Sequence, residues 1–184
     1  MANILDMSAL AAYSRLMFPL HEIGNAVQTR RSEMGLSQAA VAQLSGLSRS
    51  TVNSLESGSI KDLSVNRATK LLGVLGLSFS MPQAHPRVKN SPPRSPALEV
   101  AARNANVSYK SQVTAAELCA ALVKGEVPHR VFANVRALLE DVPVETLAQV
   151  VEQIHSEANL KRSEVWKNMR TLAQQMHVKR DIFE

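Results

Sequence analysis

Residues 37–58, SQAAVAQLSGLSRSTVNSLESG, constrain the local structure more tightly than any other part of the chain. They read as two short helices either side of Gly46. In the first, over 38–44, Val41 and Leu44 are apolar and Ala42 is small, so one face packs closely on a neighbour. Ser37 precedes it as an N-cap, with a hydroxyl placed to accept an orphan backbone N–H of the first turn. Gly46 supplies the positive φ that reverses the chain without steric cost. Ser48 then caps a second helix over 49–57, with Val52 and Leu55 inward. Its other residues, Arg49, Ser50, Thr51, Asn53 and Ser54, are short and polar or cationic.

Two helices at a tight turn, the second polar on its outer face, are what a helix-turn-helix lays in the major groove. Arg49 and Ser50 at the start of the second helix, then Asn53 and Ser54 a turn later, are the expected base contacts. An arginine donates two hydrogen bonds to guanine O6 and N7, and an asparagine matches the donor–acceptor pair of adenine. Thr51 offers a methyl to thymine or a hydroxyl to phosphate. Ser37 and Ser48, at the two helix N-termini, and Lys61 in the loop that follows are expected at phosphates.

The stretch 20–81 resembles the Xre-type (Cro/C1 phage-repressor) helix-turn-helix family. The resemblance rests on Arg30, Gly35-Leu36-Ser37-Gln38, Ala42, Gly46-Leu47-Ser48, Val52 and Leu55-Glu56-Ser57-Gly58, within about a third of the chain. It implies that Gln38 binds a phosphate. It also implies that Arg30 pairs internally with Glu56, tying the first helix to the recognition helix and making both residues structural rather than catalytic. Leu77-Ser78-Phe79-Ser80-Met81 alternates apolar and polar as a half-buried strand does. Its likeness to the ending of HipB antitoxins implies a strand shared across a dimer. A lone strand cannot satisfy its own backbone groups. Leu77, Phe79 and Met81 are therefore the expected dimer residues, in a two-fold homodimer that matches a palindromic operator.

Charge follows the same division. The net +5 of the 184-residue chain divides into +2 over residues 1–81, +3 over 82–96 and zero over 97–184. Positive charge thus gathers where a phosphate backbone would meet it. Residues 82–96, PQAHPRVKNSPPRSP, hold five of the eight prolines. They read as a semi-rigid basic linker, solvated or adding non-specific phosphate contacts.

The domain organisation expected is an N-terminal helix in 1–18, a helix-turn-helix domain over 19–81, the linker 82–96, and a helical domain over 97–184. Within 3–17, Ile4, Met7, Leu10 and Met17 share a stripe suited to dimer contact, to packing on the domain, or to a frayed terminal helix. Pro19 opens a helix over 20–33 with Ile23 and Val27 inward. Ser64 caps another from Val65 onward. Beyond the linker, helical stripes recur: Leu118, Ala121 and Leu122 behind a Thr114 cap; Val131, Val135, Leu138 and Leu139; Leu147, Val151, Ile154 and Ala158; and Val165, Trp166, Met169, Leu172, Ala173 and Met176. The fold class expected is all-α, a five-helix repressor-type domain plus a C-terminal helical bundle that oligomerises, binds a partner or senses a ligand. Aromatics at 4% argue against a β-sandwich.

Catalytic and cofactor chemistry has no foothold here. There is no glycine-rich phosphate loop, paired-cysteine motif or nucleophile elbow. The Glu152–His155 pair has metal-ligand spacing on one helix, with no second pair to complete a site. Cys119, the single cysteine, lies in an apolar run as a small hydrophobe. No signal peptide or membrane span is read. These features point to a cytoplasmic, nucleoid-associated bacterial protein without catalytic activity, cofactor or membrane partner. The function expected is a sequence-specific double-stranded DNA-binding transcriptional repressor. The alternative is a HipB-like antitoxin that neutralises a toxin kinase through 97–184 and represses its own operon.

Overall fold

The structure is a computed structural model that describes residues 20–79, 96–107 and 111–183. Among them are nine α-helices and no strand. Four make an N-terminal head: α1 Leu20–Glu33, α2 Gln38–Ser45, α3 Arg49–Glu56 and α4 Val65–Val74. Five make a C-terminal bundle: α5 Ala97–Asn106, α6 Ala115–Lys124, α7 Phe132–Asp141, α8 Val144–Ala158 and α9 Arg162–Gln175. The expected helix in 3–17, the dimer residue Met81 and all of the linker but Pro96 lie outside the described residues.

Local chemistry sets the boundaries of the head. Ser37 accepts from Ala40 N at 3.0 Å and Ser48 from Thr51 N at 3.1 Å, each satisfying one orphan donor of its helix. Gly46 closes α2 at φ 70°, a conformation that costs a Cβ-bearing residue. The ammonium of Lys70, from α4, lies over this turn, against the carbonyl end of α2 where a cation is favoured. Val27, Val41, Val52, Leu55, Leu71 and Leu75 are fully excluded from water and form the centre of the head.

α1 crosses α3 at a distance only glycine permits. A Cβ at Gly24 would sit 2.0 Å from the Leu55 carbonyl oxygen. That contact seats α3 against α1 with backbone touching backbone.

In the bundle, Thr114 and Glu117 form a reciprocal capping box at the start of α6. The stripes expected from periodicity are buried, except that Ala158 is exposed at the last turn of α8. The chain after Pro128 first makes a 3-10 turn, His129–Val131, before α7 begins. Asn134 is wholly buried yet fully used: its amide donates to Ala105 O, Asn106 Oδ1 and Ser111 O, and its oxygen accepts from Ser111 Oγ. Ile182 and Phe183 are buried, so the end of the chain docks on the bundle. Cys119 is half-buried, and desolvation, aided by the Glu157 carboxylate, pushes its thiol pKa up and away from reactivity.

Head and bundle share one continuous hydrophobic cluster. α1 meets α9, and α4 meets α8. The segment Leu77–Phe79, expected to begin a strand, forms neither helix nor strand.

Gly24→Ala separates two opposing effects. Alanine is worth about 1 kcal/mol over glycine in a helix interior. Overpacking typically costs about 1–3 kcal/mol, and here the obstacle is a backbone carbonyl that cannot rotate away. A net loss of about 2 kcal/mol is expected, read as a lower urea midpoint at unchanged m value.

Candidate nucleic-acid interface

α3 divides cleanly by burial. Val52, Leu55 and Glu56 face the head, whereas Arg49, Ser50 and Asn53 are exposed and Thr51 and Ser54 are half-buried. The N-terminal end is organised by one hydroxyl: Ser48 Oγ lies 2.8 Å from both Ser50 Oγ and Thr51 Oγ1. At the other end the Ser54 carbonyl accepts from the backbone N–H groups of Ser59 and Ile60, turning the chain sharply off the helix.

Glu56 holds the three helices of the unit together. Arg31 Nε donates to Glu56 Oε1 at 2.7 Å and Arg31 Nη2 to Oε2 at 2.9 Å, a two-point clamp. Gln38 Nε2, from the first turn of α2, donates to the same Oε2 at 2.9 Å and lies 3.4 Å from Asn53 Oδ1. Arg31 Nη1 also donates to the Leu36 carbonyl at 2.9 Å, fixing the α1–α2 loop. One carboxylate therefore sets α1, the start of α2 and the end of α3 relative to each other.

Burial pushes the Glu56 carboxyl upward, but the hydrogen bonds from Arg31 and Gln38, with the Arg31 charge, outweigh it and hold the pKa below the ordinary 4.5. The hydrogen bond to Glu56 raises the Arg31 pKa in turn, against desolvation.

This corrects the pairing expected for Arg30. Glu56 takes Arg31, while Arg30 reaches Glu33 at 3.7 Å and, across the head–bundle boundary, Glu152 at 3.2 Å. Helical geometry explains the exchange. Arg31 lies two turns beyond Gly24, on the α1 face that touches α3, and Arg30 is rotated about 100° off that face. The register relative to Gly24 was the available signal.

Of the expected phosphate residues, Ser37, Ser48 and Lys61 are exposed, and Gln38 is half-buried at the head of α2. Gln38 and Asn53 are brought together; Lys61 lies beyond α3 in the following loop. Glu152 and His155, the pair with metal-ligand spacing, are otherwise engaged. Glu152 binds Arg162 and Arg30, and His155 Nδ1 lies 2.8 Å from the Leu160 carbonyl. Among the described residues, no cluster of three or more His, Cys, Asp or Glu is placed to hold a metal ion. No described helix is long and apolar enough to cross a membrane.

Residues 27–81, under a third of the chain, match the family model for the helix-turn-helix, the Cro/C1 type. No curated protein and no solved structure matches the chain.

Glu56 makes stability depend on pH with a definite sign. Its folded pKa lies below the unfolded value, so its contribution is complete above 4.5 and is lost as pH falls through the folded pKa. Urea midpoints are expected to fall from about pH 5 downward in the wild type. Glu56→Gln, starting from a lower midpoint, should show a shallower decline. Glu56→Ala leaves Arg31 without its partner and is expected to cost about 3–5 kcal/mol at neutral pH.

Proposed function

We propose that this chain, whose residues 27–81 form a Cro/C1-type helix-turn-helix of the DNA-binding regulator class, represses transcription by occupying a palindromic operator as a homodimer. The observation that carries this reading is the outer face of α3. Arg49, Ser50 and Asn53 stand exposed on a helix locked from behind by Val52, Leu55 and the Arg31–Glu56 clamp. A rigid helix with a short polar face is what sequence readout requires. Polar side chains on that face can meet base edges, and a mobile helix would lose discrimination to entropy.

In this reading α3 lies in the major groove. Arg49 reads a guanine, and Asn53 reads an adjacent base with an amide oriented by Gln38. Ser50, Thr51 and Ser54 fill the rest of the contact. Ser37, the backbone N–H of Gln38 at the start of α2 (its side-chain amide being spent on Glu56 and Asn53), Ser48 at the start of α3, and Lys61 hold the phosphates that set the register. Leu77, Phe79 and Met81 join two heads across a two-fold axis, so that half-sites one helical turn apart are read together. The bundle, with zero net charge over 97–184, adds no phosphate attraction and serves oligomerisation or a partner protein.

Selection of duplexes from a random pool by the intact protein tests the reading. An inverted repeat is the expected product. On that sequence Arg49→Ala should cost about 1–3 kcal/mol while leaving binding to random DNA nearly unchanged. Lys61→Ala should weaken both and reduce the salt slope by about one. An equal loss on selected and random DNA for Arg49→Ala would remove it from base readout.

A further inference from the structure

α1 ends in a Schellman turn. Gly35, at φ 66°, donates its N–H to the Ser32 carbonyl at 3.0 Å, and Leu36 donates to the Arg31 carbonyl at 3.0 Å. This turn delivers Ser37 and the start of α2. Two guanidinium groups hold its carbonyls, one from each part of the protein. Arg31, already clamped on Glu56, donates to the Leu36 carbonyl from within the head. Arg170, on α9 of the bundle, donates to the Met34 carbonyl. Its guanidinium lies against Gly35, where a Cβ would stand 2.8 Å from Nη1. A cation is favoured at this end of α1, and the Met34 carbonyl has no partner within the helix.

What the turn presents is a pair of backbone donors. Ser37 Oγ takes the Ala40 N–H at 3.0 Å, and the Ser37 carbonyl takes the Val41 N–H at 3.1 Å. Among the described residues the N–H groups of Gln38 and Ala39 have no acceptor, and Ser37 and Ala39 are exposed. We propose that Arg170 is a positioning residue for the phosphate contact at the start of α2, which makes the bundle a working part of the DNA-binding unit. The inference rests on the reading that places a phosphate there.

The tie is anchored on the bundle side. α9 buries Val165, Trp166, Met169, Leu172 and Ala173, so Arg170 reaches the turn from a helix fixed by its own core. Without it the turn is held from the head alone. A shift of about 1 Å at the start of α2 is enough to spoil a directional N–H contact. Arg170 is half-buried with its guanidinium on the turn, so it acts through the Met34 carbonyl.

The test is titration of the selected duplex and of a random duplex with the intact chain over a range of salt. Arg170→Ala should weaken both by about tenfold. The salt slope should stay unchanged, because an N–H dipole, unlike a cation, releases no counterion. Arg170→Lys keeps a cationic donor and should recover most of the loss. Arg170→Met, which keeps a long stem over Gly35, stands in if the alanine variant fails to fold. The losses from Ser37→Ala and Arg170→Ala should fail to add, since both fall on one contact. A slope lowered by about one would make Arg170 a phosphate ligand in its own right and overturn the positioning role. Losses that add in full would overturn it as well. If Ser37→Ala weakens binding and Arg170→Ala lowers only the urea midpoint, the phosphate reading stands and the positioning role fails. If Ser37→Ala leaves both affinities intact, the phosphate assignment fails and takes the inference with it.

Discussion

The buried carboxylate of Glu56 is the constraint from which the geometry of the head follows. An ionised group with a side chain 2% exposed persists only if its oxygens are filled, and Arg31 and Gln38 fill them. Because those two residues come from α1 and the start of α2, the requirement is at once electrostatic and architectural. Nothing in the outer face of α3 determines how that helix is tilted. The pair behind it does, together with the Gly24 contact that brings α1 onto the Leu55 carbonyl. Substitution of either partner would therefore change DNA binding without touching a base.

Local signals made most of the head legible from the sequence. Ser37, Gly46 and Ser48 act within a few residues of themselves, through a capping hydroxyl or a left-handed backbone, and need no knowledge of the rest of the chain. The bundle stripes were equally readable because burial repeats with the helical period, as Leu147, Val151 and Ile154 show. Ala158 departs from its stripe because the last turn of a helix runs out past its neighbours.

Long-range pairing was not legible in the same way. Arg30 and Arg31 are adjacent and chemically identical, and the choice between them depends on which α1 face meets α3. Gly24 carries that information, but only as a missing side chain, which looks the same in sequence as a flexible position. The contact between Arg30 and Glu152 joins residues 122 apart and has no local signature at all. Likewise the alternation of Leu77, Ser78 and Phe79 states that one side is apolar. It does not state whether a twin chain or the chain's own α8 covers that side. The expected base contacts have a similar status: exposure marks Arg49, Ser50 and Asn53 as available, and which bases they would meet in the proposed reading depends on the duplex as much as on the protein.

The charge distribution bears on why a neutral bundle should be joined to a basic head. A domain with a large positive charge would bind DNA in its own right and blur the distinction between specific and non-specific sites. Residues 97–184 balance eleven basic against eleven acidic side chains, and Glu152 directs one of its acids to a head arginine rather than to solvent. The bundle thereby acts on the head through contact alone. Its contacts fall on the ends of α1 and α4 and leave the outer face of α3 exposed, so the bundle bears on how that helix is held rather than on the face it presents.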